Sequence, residues 1–131
     1  MLFRSRVCLV ERAPRPGGVA VNSGAIPVNT IRETALAFAA LRQRALFGVE
    51  VRVKPDITLD DFMHREREVV ETEWGLIDDN LARHDITVVQ GAARFIDAHT
   101  VEVTRFRDEP RRITADVMLI ATGSQIGRAH V

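Results

Sequence analysis

Gly17-Gly18-Val19-Ala20-Val21-Asn22-Ser23-Gly24-Ala25-Ile26-Pro27-Val28-Asn29 is the stretch on which the reading of this chain turns. It reads as a glycine-rich loop running into a helix. Gly17, Gly18 and Gly24 permit backbone conformations that other residues resist, and Pro27 brings a fixed φ suited to a first helical turn. Such a loop lets main-chain N–H groups approach a bulky ligand, with the positive end of the helix behind it aimed at an anionic group. Taken by themselves, the glycines and the proline describe an ordinary surface loop before a helix equally well.

Composition sets the outer bounds. The chain has 131 residues, 46% hydrophobic and 27% charged, which is the balance of one modest globular domain. No apolar run approaches the roughly 18 residues needed to span a bilayer, and the N-terminus lacks a signal-peptide core, so the expected location is the cytoplasm, without a membrane. The formal net charge is +0, so no global electrostatic case for nucleic acid exists. Lys54 is the only lysine, and the pairs Arg42/Arg44, Arg65/Arg67 and Arg111/Arg112 sit among acids, the pattern of a solvated face. The single cysteine, Cys8, excludes an internal disulfide, and its setting in Arg6-Val7-Cys8-Leu9-Val10-Glu11 reads as a buried strand position. His64 and His84 lack companions at metal-ligand spacing, so no metal site is expected.

The pattern along the chain is mixed α and β. Residues 6–11 read as a short apolar strand ending on Glu11, and Ala13-Pro14-Arg15-Pro16 as a turn. A helix is expected over 27–47 from the stripe Ile31, Ala35, Phe38, Leu41/Ala45 and Leu46, with Gly48 as its stop. Residues 49–55 alternate and then meet Pro55, as an exposed edge strand or extended loop does. A longer helix follows, with Thr58 as N-cap, Asp60 and Asp61 in the first turn, and an apolar stripe through Phe62/Met63, Val69/Val70, Trp74, Ile77 and Leu81 to about Arg83. Trp74 and Met63 share that stripe and read as core-facing packing residues. From Asp85 the period changes to two, with strands at 86–89, 93–96 and 101–104, turns at 97–100 and 108–110, and a last strand over 113–120 leading into Ala121-Thr122-Gly123-Ser124.

The opening stretch resembles the active-site segment of the flavoprotein disulfide reductases, in which Gly-Gly precedes a cysteine, a spacer with Asn and Gly, a second cysteine, Ile-Pro and then Ser-Lys. Gly17, Gly18, Asn22, Gly24, Ile26 and Pro27 fall on that pattern, while Ala20 and Ala25 stand at the cysteine places and Val28-Asn29 at the Ser-Lys place. Two later runs, from Gly91 through Phe95 and Asp97 to Val101 and from Ala115 to Ser124, look like the corresponding blocks of dihydrolipoamide dehydrogenase relatives. The soluble pyridine nucleotide transhydrogenases are most similar, since their active-site segment also departs from the two-cysteine pattern and continues with Leu-Arg, as Ile31-Arg32 does here. The resemblance spans nearly all of residues 6–124, in order and in register.

The resemblance implies an α/β fold: a partial doubly wound, Rossmann-like FAD/NAD(P)-binding domain with two helices and a β-meander, lacking the first strand and its G-x-G-x-x-G turn. It implies FAD as cofactor and nicotinamide nucleotides as substrates of an intact, homodimeric parent. By position, Glu11 would hold the adenosine ribose, and Gly17, Gly18 and Val19 would pass beside the pyrophosphate. Gly91 and Ala93 would lie near the adenine, Thr122, Gly123 and Ser124 would close over the cofactor, and Asn29 would stand beside the flavin where the family has lysine. No residue of the chain is expected to be catalytic. With alanine at 20 and 25 the thiol relay is missing, which leaves an FAD-dependent NAD(P) transhydrogenase. The alternatives are a related flavoenzyme with another acceptor, such as a dihydrolipoamide dehydrogenase or mercuric reductase relative, a catalytically inactive flavin-binding paralogue, or a free-standing helix–meander interaction protein.

Both ends read as foreign. Ile126-Gly127-Arg128-Ala129-His130-Val131 is one-frame translation of a common short-read sequencing adapter, and Leu2-Phe3-Arg4-Ser5 translates the matching adapter end. Residues 1–5 and 126–131 are therefore expected to be processing scars, with 6–124 an interior slice of a larger protein.

Overall fold

A computed structural model of the chain describes residues 6–43, 48, 52 and 54–123. The chain divides into two compact units, one comprising Arg15–Asp85 and the other Met1–Pro14 with Ile86–Val131. The first is helical and the second is built from strands.

In the helical unit, α1 is a single short turn, Gly18–Asn22, and α2 runs Ala25–Gln43. Helix α2 thus begins two residues before the expected start at Pro27. The Val28 N–H already donates to the Gly24 carbonyl at 2.9 Å, and Pro27 lies in the first turn, where a missing N–H leaves no bond unmade. The expected continuation over 44–47 lies outside the described residues. Buried Thr30 is satisfied by its own helix, its hydroxyl donating to the Ile26 carbonyl at 2.9 Å.

Helix α3, Leu59–Arg83, forms as the local signals require. Thr58 Oγ1 accepts from the Asp61 N–H at 3.1 Å while the Asp61 carboxylate accepts from the Thr58 N–H at 2.9 Å and from the Thr58 hydroxyl at 2.7 Å, a reciprocal capping box. The hydroxyl bond from Thr58, followed by its backbone bond, lowers the Asp61 carboxyl from 3.8 to about 2. Helices α2 and α3 pack through Phe38 and Phe62, whose rings stack with centroids 6.0 Å apart, and Val21 and Val70 are buried. The alternating segment expected over 49–55 falls largely outside the described residues; Arg52 and Lys54 are exposed and belong to no strand.

In the strand unit, β1, Cys8–Glu11, pairs in parallel with β2, Thr87–Gln90, with Glu11 opposite Gln90. Parallel neighbours need a long crossover, and here the intervening chain is the whole helical segment. Strands β3, Ala92–Asp97, β4, Thr100–Thr104, and β5, Arg111–Thr114, form an antiparallel meander in that order. Its best-covered side chain is Val103, 3% exposed. Glu102 on β4 is flanked by Arg94 and Arg112 on the neighbouring strands, with the Arg94 contact at 2.6 Å.

Two expectations need correction. The last strand does not run over 113–120: β5 ends at Thr114, and residues 115–123 pair with no strand among the described residues. Val117 is 85% and Leu119 91% exposed. An apolar run becomes a strand only when a neighbour accepts its backbone bonds, and none of the described strands does so. Cys8, expected buried, is exposed, because a sheet of two strands leaves the side chains at its beginning uncovered.

Candidate functional site

Glu11 and Gly91 leave the parallel pair side by side. The Gly91 N–H donates to the Glu11 carbonyl at 2.8 Å, which extends the β1–β2 ladder by one bond. Gly91 has φ 153, and a Cβ there would lie 2.6 Å from Val103 Cγ1 and 2.8 Å from the Thr104 carbonyl oxygen, so only glycine fits this junction. The Glu11 carboxylate accepts from the Ala13 N–H at 2.8 Å, and Gln90 donates to the Ala13 carbonyl at 3.1 Å. These bonds fix the turn after β1 and hold the half-buried carboxylate at the carboxyl end of the parallel strands, the place where open α/β sheets bind ligands.

Beside this junction lies a cleft of about 320 Å³, lined by Arg12, Gln90, Gly91, Ala92, Thr104, Arg105 and Phe106. Two guanidinium groups and a hydroxyl stand at this open cleft, with the Phe106 side chain, 85% exposed, at its rim. Arg12, Arg105 and Phe106 escaped the sequence reading. Arg12 had only its place next to Glu11 to mark it, and Phe106 only its isolation as the sole aromatic residue in the polar β4–β5 turn. Ala93 is not in the lining; it pairs with Val103 in the meander.

The other expected site residues fall elsewhere. Gly17, Gly18, Val19 and Asn29 belong to the helical unit. Gly17 has φ 112 and Gly18 φ 56; a Cβ at Gly18 would meet no atom within 4 Å, leaving its backbone open to approach. Val19 and Asn29 are exposed on α1 and α2. Thr122 and Gly123 are exposed in the unpaired run after β5, and Ser124 lies outside the described residues. Ala20 and Ala25, at the places of the family's cysteines, are exposed, Ala20 within α1 and Ala25 at the start of α2. Among the described residues no group of three or more His, Cys, Asp or Glu could hold a metal ion, and no helix is long and apolar enough to cross a membrane.

Over 123 residues the chain is 39% identical to a soluble pyridine nucleotide transhydrogenase of Mycobacterium tuberculosis, a match covering 93% of this chain and 26% of the relative. It is similar to soluble pyridine nucleotide transhydrogenases. The transhydrogenase of Colwellia psychrerythraea is 28% identical over 122 residues, again with 93% of this chain and 26% of the relative. This chain therefore spans about a quarter of the length of the transhydrogenases it matches. Among solved structures, LpdA from Mycobacterium tuberculosis superposes with a TM-score of 0.70 at 23% identity, over 86% of this chain and 24% of that one. That likeness supports the α/β assignment of a partial Rossmann-like domain. No family model matches the chain.

Proposed function

We propose that residues 6–124 are an interior part of the FAD-binding domain of a transhydrogenase, moving hydride between NADPH and NAD without a redox-active disulfide. The observation that carries this reading is the 39% identity across nearly the whole chain to a soluble pyridine nucleotide transhydrogenase, with alanine at both family cysteine places. Residues 1–5 and 126–131 are read as adapter-derived, and an independent genomic read through both ends would settle their origin.

The strand unit fits the adenosine half of such a cofactor. Glu11 offers an oriented carboxylate for ribose hydroxyls, and the adjoining cleft offers Arg12, Arg105 and Phe106. In the helical unit the uncovered backbone of Gly18 suits close approach of a pyrophosphate. Val19, Asn29, Ala93, Thr122, Gly123 and Ser124 take the cofactor-facing roles that the family pattern assigns them. Bound flavin would supply hydride acceptance from one nicotinamide nucleotide and donation to another. The chain's own part is to bind and orient. Thiol–disulfide interchange needs a thiolate beside the cofactor, and Ala20 and Ala25 supply none. The intact parent is read as a cytoplasmic homodimer.

Asn29 favours a second reading. In the family a lysine stands here beside the flavin, where a cation favours the reduced anionic form; asparagine can donate a hydrogen bond and brings no charge. An inactive flavin-binding paralogue would tolerate that loss. The intact parent should purify yellow and reduce an NAD analogue with NADPH. Flavin without turnover selects the paralogue, and a colourless protein that refuses FAD sinks both readings. The 131-residue chain, lacking most of the length of its relatives, should not bind FAD tightly; stoichiometric quenching of flavin fluorescence by it would contradict this expectation.

A further inference from the structure

Trp74, the chain's single tryptophan, stands on α3 with Ile77 and Asp78 three and four residues further on, so the three share one helix face. That face receives residues 15–22. The Trp74 Nε1–H donates to Asn22 Oδ1 at 2.9 Å, and the Arg15 guanidinium lies 5.2 Å from the Trp74 ring centroid while donating to Asp78 at 3.0 Å. A Cβ built on Gly17 would come within 3.3 Å of Ile77 Cδ1, which places α3 directly against the turn. Asn22 uses both ends of its amide. Its oxygen takes the tryptophan N–H, and its nitrogen donates to the Gly18 carbonyl at 2.9 Å and reaches the Pro16 carbonyl at 3.4 Å.

Gly17 and Gly18 are consecutive residues in the left-handed half of backbone space, a conformation that glycine reaches easily and leaves easily. The five-residue α1 that follows is too short to hold itself. Its shape must come from an external anchor, and Asn22 is the residue tied both to the turn's carbonyls and to α3.

We propose that Trp74 is a positioning residue for the Gly17–Gly18 turn, acting through Asn22, with Arg15 and Asp78 holding the indole in place. The role rests on the reading that this turn passes beside the pyrophosphate of a dinucleotide. Trp74→Phe keeps an aromatic ring under Arg15 and removes the N–H donor together with the smaller ring of the indole. Asn22→Asp keeps an acceptor for Trp74 and removes both donors to the turn.

Amide hydrogen exchange on the 131-residue chain gives the first test. Both variants should speed exchange at residues 17–22 by about tenfold, the equivalent of one lost hydrogen bond, with the interior of α2 and α3 unchanged. Asn22→Asp should retain the Trp74 fluorescence emission of the parent chain. In the intact flavoprotein, Trp74→Phe should weaken FAD binding by about tenfold, read from release of flavin fluorescence on dilution. Unchanged exchange at 17–22 in both variants overturns the anchor. Faster exchange with unaltered FAD affinity overturns the positioning role. A wild-type parent that binds no FAD overturns the cofactor reading itself, and the exchange result still decides whether the anchor exists.

Discussion

The helical and strand units of this chain respond differently to the same kind of sequence signal. In Arg15–Asp85 every expected helix forms, because a helix closes its own backbone hydrogen bonds and needs only caps at its ends. In the strand unit β1 to β4 form where expected, yet the apolar run Val117-Met118-Leu119-Ile120 pairs with no described strand, and Val117, Leu119 and Ile120 are exposed. A strand borrows its hydrogen bonds from neighbours, so its sequence states a readiness that only a second strand can satisfy. Local signals therefore suffice for α3 and fall short for the segment after β5.

The contrast is broken most forcefully at Gly91, where strand pairing depends on one residue. Gly91→Ala would place a methyl group against Val103 and the Thr104 carbonyl at a φ of 153. Left-handed strain and overpacking together should cost about 3 kcal/mol, read as a lower denaturant midpoint for loss of β-structure. Helical signal that survives beyond that midpoint would show the two units melting apart, and an unchanged midpoint would mean the junction is looser than its contacts imply.

A smaller effect is expected at the start of α3, where the signal is wholly local. Thr58→Ala should cost about 1 kcal/mol at neutral pH. The Asp61 carboxyl is lowered in the folded chain, so its share of the cap is fully present above its unfolded value of 3.8 and is lost as pH falls through about 2. The difference in melting temperature between Thr58→Ala and the parent chain should shrink between pH 4 and pH 2. A constant difference across that window would remove Asp61 from the cap.

These differences explain what could be read from residues alone. The capping pattern at Thr58 and Asp61, the stripe of α3 and the turn residues around 97–100 and 108–110 each act within a few positions, and each is found in place. The parallel pairing of β1 with β2 across more than seventy residues was not read from the sequence, because no local spacing encodes it; the resemblance gave the fold class alone. In the candidate site, Glu11 was legible as a strand end, and Gly91 through the resemblance. Arg12, Arg105 and Phe106 were not, since an exposed arginine or a single aromatic gains meaning only once folding brings it to a shared cleft. Trp74 was legible as a packing residue, and it is half-buried against residues 15–22; its N–H, which the hydrophobic stripe does not register, is what ties α3 to Asn22.

The smallest expected effect sharpens the contrast most. Leu119 is 91% exposed, so Leu119→Ser removes almost no buried area in this chain and should change its stability by less than about 0.5 kcal/mol. A leucine buried in a sheet costs about 2–5 kcal/mol when truncated. If residues 117–120 are a strand waiting for a partner, the same substitution should be nearly silent in the 131-residue chain and severe in the intact parent, where a neighbouring strand would cover it. Equal, small effects in both would mean that the run stays open in the parent too, and its apolar character would then need a cause other than strand pairing.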